Sequence, residues 1–374
     1  MRFLHLSDLH IGKKIHDFPL YEDQRFVLNQ ALDLLRKENL DALIISGDIY
    51  DNGAPSAEAM EFYDWFLTET FKTGKPILII SGNHDSAERL AVASSILSSA
   101  GVHVATKIDD FFSPVTIEGV DFYLLPFFRI SHVNAFLGTD CNSYESALKA
   151  LLERVHLKEG VPSVILTHQA YLPTSGKVST AGSESALDVD ANGYVGGSEV
   201  IDVSLLKDFT YCALGHIHKG QNIASNARYP GALLRYHIDE AKSEREFTIV
   251  EIDGNKAKIE TRPIVFKRGL VILEGTMREL LERKGNEGDY VHCRLLEEEY
   301  VDNPMGRLRA KYPFCLGLEY PKIKTKGEVL SEIEDVEEIS KEELFATFFK
   351  QYGGEELDEE ETKLVNRLMG ECEG

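Results

Sequence analysis

Five short motifs in the first two-thirds of the chain carry side chains that bind metal ions. SDLH holds Asp8 and His10, GDIYD holds Asp48 and Asp51, GNHD holds Asn83, His84 and Asp85, THQ holds His168, and GHIH holds His216 and His218. Taken singly they say little, because a histidine after a strand is usually hydrogen-bonded structure and a Gly-Asp pair is usually a turn. Together they point to chemistry. Residues two apart on a strand share a face, so Asp8 and His10 can reach one ion. Imidazole and carboxylate without thiolate fit manganese, iron or zinc, while several histidines disfavour magnesium and calcium. Seven candidate ligands, Asp8, His10, Asp48, Asn83, His168, His216 and His218, are too many for one tetrahedral ion. They suit two ions sharing a bridge, and Asp48 is the natural bridge because a carboxylate has two oxygens. Such ions sit about 3.5–4 Å apart and clamp the attacking and leaving oxygens. Against Asp8 and Asp48, two divalent ions leave a formal charge of roughly +2. That charge draws a phosphodiester anion and lowers the pKa of bound water, which implies hydrolysis. His84 is not needed as a ligand and can stabilise the transition state or protonate the leaving oxygen. A histidine in that role needs a carboxylate to orient it, and Asp51 and Asp85 are both available.

The elements that position these motifs are legible too. Apolar, β-rich runs cover Arg2–Leu6, Ala42–Ser46, Ile77–Ser81, Ser163–Thr167 and Tyr211–Leu214. Helical periodicity covers Asp23–Lys37, Glu58–Phe71 and Glu88–Ser99. Alternating strands and helices predict an α/β layered fold. Each of the five runs ends in one of the polar motifs, and in open α/β sheets ligands collect at the carboxyl ends of strands. The pattern therefore puts five polar loops on one edge of a sheet.

From about Tyr229 to Ile264 the pattern is all-β. A smaller unit follows, with strands at Leu270–Leu273, Tyr290–Leu295 and Leu316–Tyr320 and helices at Thr276–Lys284 and Pro304–Lys311. The tail from Lys326 is acidic. Helical patterns at Lys341–Tyr352 and Asp358–Met369 are separated by Gly353–Gly354. Their apolar residues, Leu344, Phe345, Phe348, Phe349, Leu364, Val365 and Leu368, suit either packing on the same domain or a partner.

Composition sets the bounds. The 374 residues are 43% hydrophobic and 27% charged, ordinary for a soluble globular protein. There is no apolar run of about 18 residues, so no membrane span is expected, and the N-terminus lacks the apolar stretch of a signal peptide. The expected location is cytoplasmic. The five cysteines are scattered and never form CxxC pairs, which argues against disulfides and zinc-thiolate sites. The net charge of −22 counts against a stand-alone DNA binder. It is compatible with a subunit whose partner supplies most of the DNA contact. Lys13, Lys14, Lys219, Arg228 and Arg235 lie near the motifs and are candidates for holding phosphates.

In this order, SDLH, GDIYD, GNHD, TH and GHIH resemble the calcineurin-like metallophosphoesterase superfamily. The segments EDQRFVLNQAL, YVGGSEVIDVSLLKDFTYCALGHIHKGQ and YPGALLRYHIDEAKSEREFTIVEI resemble, more narrowly, the SbcD exonuclease family. The resemblance implies a layered α/β/β/α sandwich over residues 1–264, a small α+β capping domain over 265–325 and a C-terminal helical segment over 326–374. It implies one manganese ion held by Asp8, His10, Asp48 and His218, and a second held by Asp48, Asn83, His168 and His216, with magnesium or iron as alternatives. His84 would be the catalytic histidine and Asp51 its orienting partner. The implied activity is manganese-dependent exonuclease and endonuclease cleavage of DNA: double-stranded ends, single strands and hairpins. The implied partner is an SbcC-type, SMC-like ATPase whose coiled coil receives the C-terminal segment, in an ATP-dependent repair complex associated with the nucleoid. A homodimer within a heterotetramer is implied as well. Candidate dimer helices are Ser56–Thr68, with Met60, Trp65 and Phe66, and Glu88–Ser99, with Leu90, Ile96 and Leu97. Two other readings fit the same ligands: a phosphoprotein or nucleotide phosphoesterase, and a non-catalytic scaffold. The extra residues after GHIH speak against the first, and the full set of ligands against the second.

Overall fold

The computed structural model describes residues 1–173, 194–195, 198–323, 357–358 and 361–365. Two six-stranded sheets carry the architecture. The strands are β1 (Arg2–Leu6), β2 (Ala42–Ser46), β3 (Ile77–Ile80), β4 (Val102–Ala105), β5 (Val115–Ile117), β6 (Val120–Leu125), β7 (Ser163–His168), β8 (Tyr211–Gly215), β9 (Gln221–Ala224), β10 (Ala227–Tyr229), β11 (Glu246–Asp253) and β12 (Lys256–Pro263). The first sheet has the order β12-β11-β1-β2-β3-β4, and the second β9-β10-β8-β7-β6-β5. Strands β1 to β4 run parallel to one another, and so do β6, β7 and β8. The central strands are apolar at nearly every position and buried throughout. That pattern is expected where both faces of a parallel sheet are covered.

The sheets pack face to face. Phe3, Ile44, Leu78 and Ile80 of one meet Phe122, Leu124, Leu166 and Tyr211 of the other in a single apolar cluster. On the outer face of the first sheet lie α1 (Tyr21–Lys37) and α2 (Ala57–Phe71). In α1, Val27, Leu28, Ala31, Leu32 and Leu35 form the buried stripe. Acids in its first turn and bases in its last suit the helix dipole. Beyond the short helices α3 (Ala87–Leu90) and α4 (Ser94–Ser99), α5 (Ile130–Leu137) and α6 (Tyr144–Leu152) cover the second sheet. The layers therefore run helix, sheet, sheet, helix, a mixed α/β sandwich.

The five predicted motif strands form, yet not in one sheet. β1, β2 and β3 belong to the first, β7 and β8 to the second. Strands β4 and β6, which the sequence pattern did not single out, carry the chain to the edge of one sheet and into the other. Glycines 101 and 119 before VHVA and VDFYLL were their available signals. The periodicity over Glu88–Ser99 also divides. It gives α3 and α4, separated at Ala93, whose φ of 60° is left-handed and cannot continue a right-handed helix. Of the apolar residues on the candidate dimer helices, Met60 and Ile96 are exposed, whereas Phe66 and Leu90 are buried.

After β12 come β13 (Leu270–Gly275), α7 (Met277–Glu282), β14 (Tyr290–Leu295), α8 (Pro304–Lys311) and β15 (Cys315–Glu319). The three strands form a sheet in the order β13-β14-β15. The chain divides into two compact units. One is Met1–Ile272 with Gly285–His292 and Tyr312–Leu316; the other is Leu273–Lys284, Cys293–Lys311 and the described part of Gly317–Gly374. In the second unit, Thr276 and Glu279 cap the start of α7 reciprocally. The predicted helix Lys341–Tyr352 lies outside the described residues. Of Asp358–Met369 only the helical stretch 361–365 is described beyond Asp358 itself. Among the described residues no helix is long and apolar enough to cross a membrane.

Candidate metal centre

The C-terminal ends of β1, β2, β3, β7 and β8 bring all seven predicted ligands together where the two sheets meet. Asp8 and His10 do not lie on β1, which ends at Leu6. Both occupy the left-handed region, with φ of 53° and 43°, as does Asp48 with 50°. Strand alternation is thus not what makes them converge. The turn is pinned instead by main-chain bonds from Asp8 N to Gly47 O, 3.1 Å, and from His10 N to Asp48 O, 3.0 Å. Left-handed backbone at non-glycine residues is costly and collects at functional sites.

Two glycines of the motifs are explained by close approach. A Cβ on Gly82 would lie 2.1 Å from Asp48 Oδ1, and one on Gly215 would lie 1.8 Å from Ser46 O. Gly215 and Ser46 belong to different sheets, so the glycine lets the two strand ends touch.

The polar atoms face one another across short gaps. His168 Nε2 is 3.2 Å from Asp48 Oδ2 and 3.1 Å from Asn83 Oδ1. His216 Nδ1 is 3.2 Å from the same Asn83 oxygen. His10 Nε2 lies 3.1 Å from His218 Nε2 and 3.7 Å from Asp48 Oδ2, and His218 Nε2 is 4.0 Å from Asp8 Oδ1. Asp8 accepts from His216 N at 3.1 Å and from Ser7 Oγ. Three ligand groups emerge from this packing: Asp8, His10 and His218; Asp8, Asp48 and His168; and His10, Asp48 and His84. Asp8, His10 and Asp48 each stand in two of them.

The donor set fits a cation. His168 Nδ1 is 2.7 Å from Ser46 O, so Nδ1 carries the proton. In the neutral ring Nε2 is then a lone pair aimed at two further acceptors, Asp48 Oδ2 and Asn83 Oδ1. Positive charge between them, from a cation or a proton, satisfies that arrangement. Without a metal, a proton must supply it. Burial alone would lower the pKa of His168, but the Asp48 carboxylate outweighs it and holds the ring at about 9. Burial disfavours charge on Asp8 and raises its pKa, whereas the histidines around Asp48 overcome burial and hold its carboxyl well below the usual range. Burial pushes His216 down to about 3 and His218 well below its ordinary value, so both rings are neutral and fit to ligate.

His84 is exposed at the rim. Its Nδ1 lies 2.8 Å from the main-chain carbonyl of Asp51, and its Nε2 is 4.0 Å from Asp48 Oδ2. The group touching His84 is therefore the Asp51 carbonyl. The Asp51 carboxylate turns to Lys13 Nζ at 2.8 Å and to His10 Nδ1 at 3.5 Å. Burial opposes its charge, but these two partners prevail and bring its pKa to about 2. Asp85 faces neither histidine. Its carboxylate accepts from the amides of Ile49, Tyr50 and Gly82 at 2.9 to 3.1 Å, tying the loops after β2 and β3 together. Of the basic residues, Arg228 is buried against Glu246, Thr248 and Asn222 and cannot meet a phosphate. Sequence reading missed Gln24 and Tyr236, which hold the Asp8–His10 turn. Their signal was slight: both lie in the family-like segments EDQRFVLNQAL and YPGALLRYHIDEAKSEREFTIVEI, which carry no candidate metal ligand.

A pair of sheets whose strand ends gather two carboxylates, an amide and four imidazoles defines a metal-dependent phosphoesterase. Residues 1–220 match the family described as calcineurin-like phosphoesterase, and the chain belongs to that family. Residues 267–352 match a second family, described as type 5 capsule protein repressor C-terminal domain. Over nearly its whole length the chain is similar to proteins named as the SbcD component of the nuclease SbcCD. The relative from Staphylococcus saprophyticus is 28% identical over 377 residues, covering 99% of this chain and 98% of the relative. That from Staphylococcus epidermidis is 27% identical over 380 residues, with the same coverage. Among solved structures, a dimetal phosphatase from Danio rerio matches at 14% identity and a TM-score of 0.37, covering 70% of this chain and 98% of that one.

Proposed function

We propose that this chain is the manganese-dependent nuclease component of an SbcCD-type, ATP-dependent DNA repair complex, working in the cytoplasm as exonuclease and endonuclease. The observation that carries the hydrolytic reading is that Asp48 Oδ2 and Asn83 Oδ1 both lie within 3.2 Å of His168 Nε2, a donor set suited to a metal ion. Similarity along 99% of the chain to proteins named as the SbcD component of the nuclease SbcCD supports DNA as substrate and an SbcC-type ATPase as partner. On this reading residues 1–264 form the nuclease domain, 265–325 a cap and 326–374 the partner-binding segment. The chain would act as a homodimer within a heterotetramer.

Asp8, His10, Asp48 and His218 would hold one ion, and Asp48, Asn83, His168 and His216 the other. Two bound divalent ions supply Lewis acidity to the phosphodiester and lower the pKa of water. The chain's own part is binding and proton handling. The buried Asp8 and Asp48 fix the positions of the ligands around them. His84, with its Nδ1–H committed to the Asp51 carbonyl, turns Nε2 toward Asp48, and in the doubly protonated ring the Nε2–H would be the proton given to the leaving oxygen. Asp51 serves through its carbonyl at His84 and through its carboxylate at His10.

The test is cleavage of linear duplex and single-stranded DNA by wild type and His84→Gln, with manganese and with EDTA, beside p-nitrophenyl phosphate. The expected result is manganese-dependent DNA cleavage, reduced about 100-fold or more in His84→Gln while metal binding persists. Hydrolysis of the small ester with DNA left intact, also in the presence of the ATPase partner, would overturn the substrate assignment.

A further inference from the structure

The segment Leu233–Glu246 follows the last metal motif and belongs to none of them, yet it reaches back to the start of the chain. Tyr236 is 5% exposed and its hydroxyl donates to Leu9 O at 2.8 Å, with Asp8 O at 3.3 Å. Its ring stands edge-on to His10, with centroids 5.5 Å apart, and to His218, 5.7 Å apart. Gln24, on the buried face of α1, shares the Leu9 carbonyl with Tyr236, donating to Leu9 O at 3.0 Å and to His10 O at 2.8 Å. The left-handed turn that presents Asp8 and His10 is thus held by two side chains from distant parts of the sequence.

Tyr236 is itself held. Glu240 Oε2 accepts from the Tyr236 amide at 2.8 Å and from Arg245 Nη2 at 2.6 Å. The Glu240 and Arg245 side chains are 0% and 1% exposed. Breaking such a buried pair leaves an uncompensated charge, so the loop that carries Tyr236 is stiff. A stiff loop matters because the turn it grips is strained. Asp8 and His10 keep left-handed φ only while their neighbours over-determine it. Relaxation of that turn moves the His10 ring, whose Nε2 is 3.1 Å from His218 Nε2. His168 has its own tether outside the turn, Nδ1 to Ser46 O at 2.7 Å.

We infer that Tyr236, seconded by Gln24, is a positioning residue for one half of the metal centre, the half built by Asp8, His10 and His218. It touches no reacting atom and acts through the backbone of the Asp8–His10 turn and the faces of two imidazoles. This rests on the two-ion reading above.

The experiment is manganese titration of the metal-stripped full-length chain by calorimetry, with free manganese followed by electron paramagnetic resonance. His218→Gln and His168→Gln identify which binding step belongs to which half. Tyr236→Phe keeps the ring and removes the hydroxyl. Tyr229→Phe is the matched control: it removes a fully buried hydroxyl bonded to Tyr171 N and Gln169 O, and no contact of the Asp8–His10 turn. The step lost in His218→Gln should weaken about 10-fold or more in Tyr236→Phe, and the step lost in His168→Gln should stay. In Tyr229→Phe the first step should be unchanged. Equal weakening of both steps in Tyr236→Phe, or equal loss of the first step in Tyr229→Phe, would mean general loosening and overturn the assignment. Unchanged binding in Tyr236→Phe overturns it as well. A wild type that binds no manganese overturns the two-ion reading and this inference with it, whereas two wild-type steps with no selective loss sink only the inference.

Discussion

His5 offers a measurable consequence of how the two sheets close on each other. It lies on β1, fully buried between the layers, with Nδ1 2.9 Å from Tyr211 Oη and Nε2 3.1 Å from Ser46 Oγ. Burial, aided by the nearby Arg228 charge, lowers its pKa from 6.5 to about 3. The folded protein therefore keeps the ring neutral at a pH where the unfolded chain protonates it. Below pH 6.5 the unfolded state binds the extra proton, so stability falls with pH and goes on falling until about pH 3. Each pH unit in that window is worth about 1.4 kcal/mol, which makes the His5 contribution to the loss between pH 7 and pH 5 roughly 2 kcal/mol. The assay is urea unfolding of wild type and His5→Gln at both pH values, in EDTA so that metal ligation is absent from the comparison. Wild type should lose roughly 2 kcal/mol more than the variant over that interval. Equal losses in the two proteins would refute a buried neutral His5, and with it the account of burial winning at that position.

Removing metal should leave a single proton on His168 as the counter-charge of the cluster around Asp48. Manganese at about 100 times its dissociation constant should then restore roughly 2.7 kcal/mol for each ion bound. A thermal melt that does not move on adding manganese to stripped protein would contradict this. In Gly82→Ala the new Cβ meets Asp48 Oδ1 at 2.1 Å, so manganese affinity should fall while the second unit keeps its fold; calorimetry of the variant checks it. Asp85→Ala strips the acceptor from the amides of Ile49, Tyr50 and Gly82, at an expected cost of about 1–3 kcal/mol, read by urea unfolding.

Much of the centre was legible in the sequence because metal chemistry demands particular side chains. Asp8, His10, Asp48, Asn83, His168, His216 and His218 stand out as a set, and the structure brings that set together. The strands before them were equally plain, since buried parallel strands must be apolar along their length. What the sequence could not supply was distance. It does not say that β1–β3 and β7–β8 lie in separate sheets, because local pattern is the same in either arrangement. Nor does it say that Asp8 and His10 converge through a left-handed turn rather than by strand alternation, since φ there is set by Gly47, Asp48, Gln24 and Tyr236 from elsewhere in the chain. Asp51 shows the same limit at one residue. Local pattern left Asp51 and Asp85 both open as partners of His84, the family resemblance implied Asp51, and only the tertiary structure decided that the Asp51 carbonyl meets His84 while the carboxylate turns to Lys13 and His10. Residue type is written locally and carries the chemistry; orientation comes from long-range contacts, which exist only once the two sheets have packed.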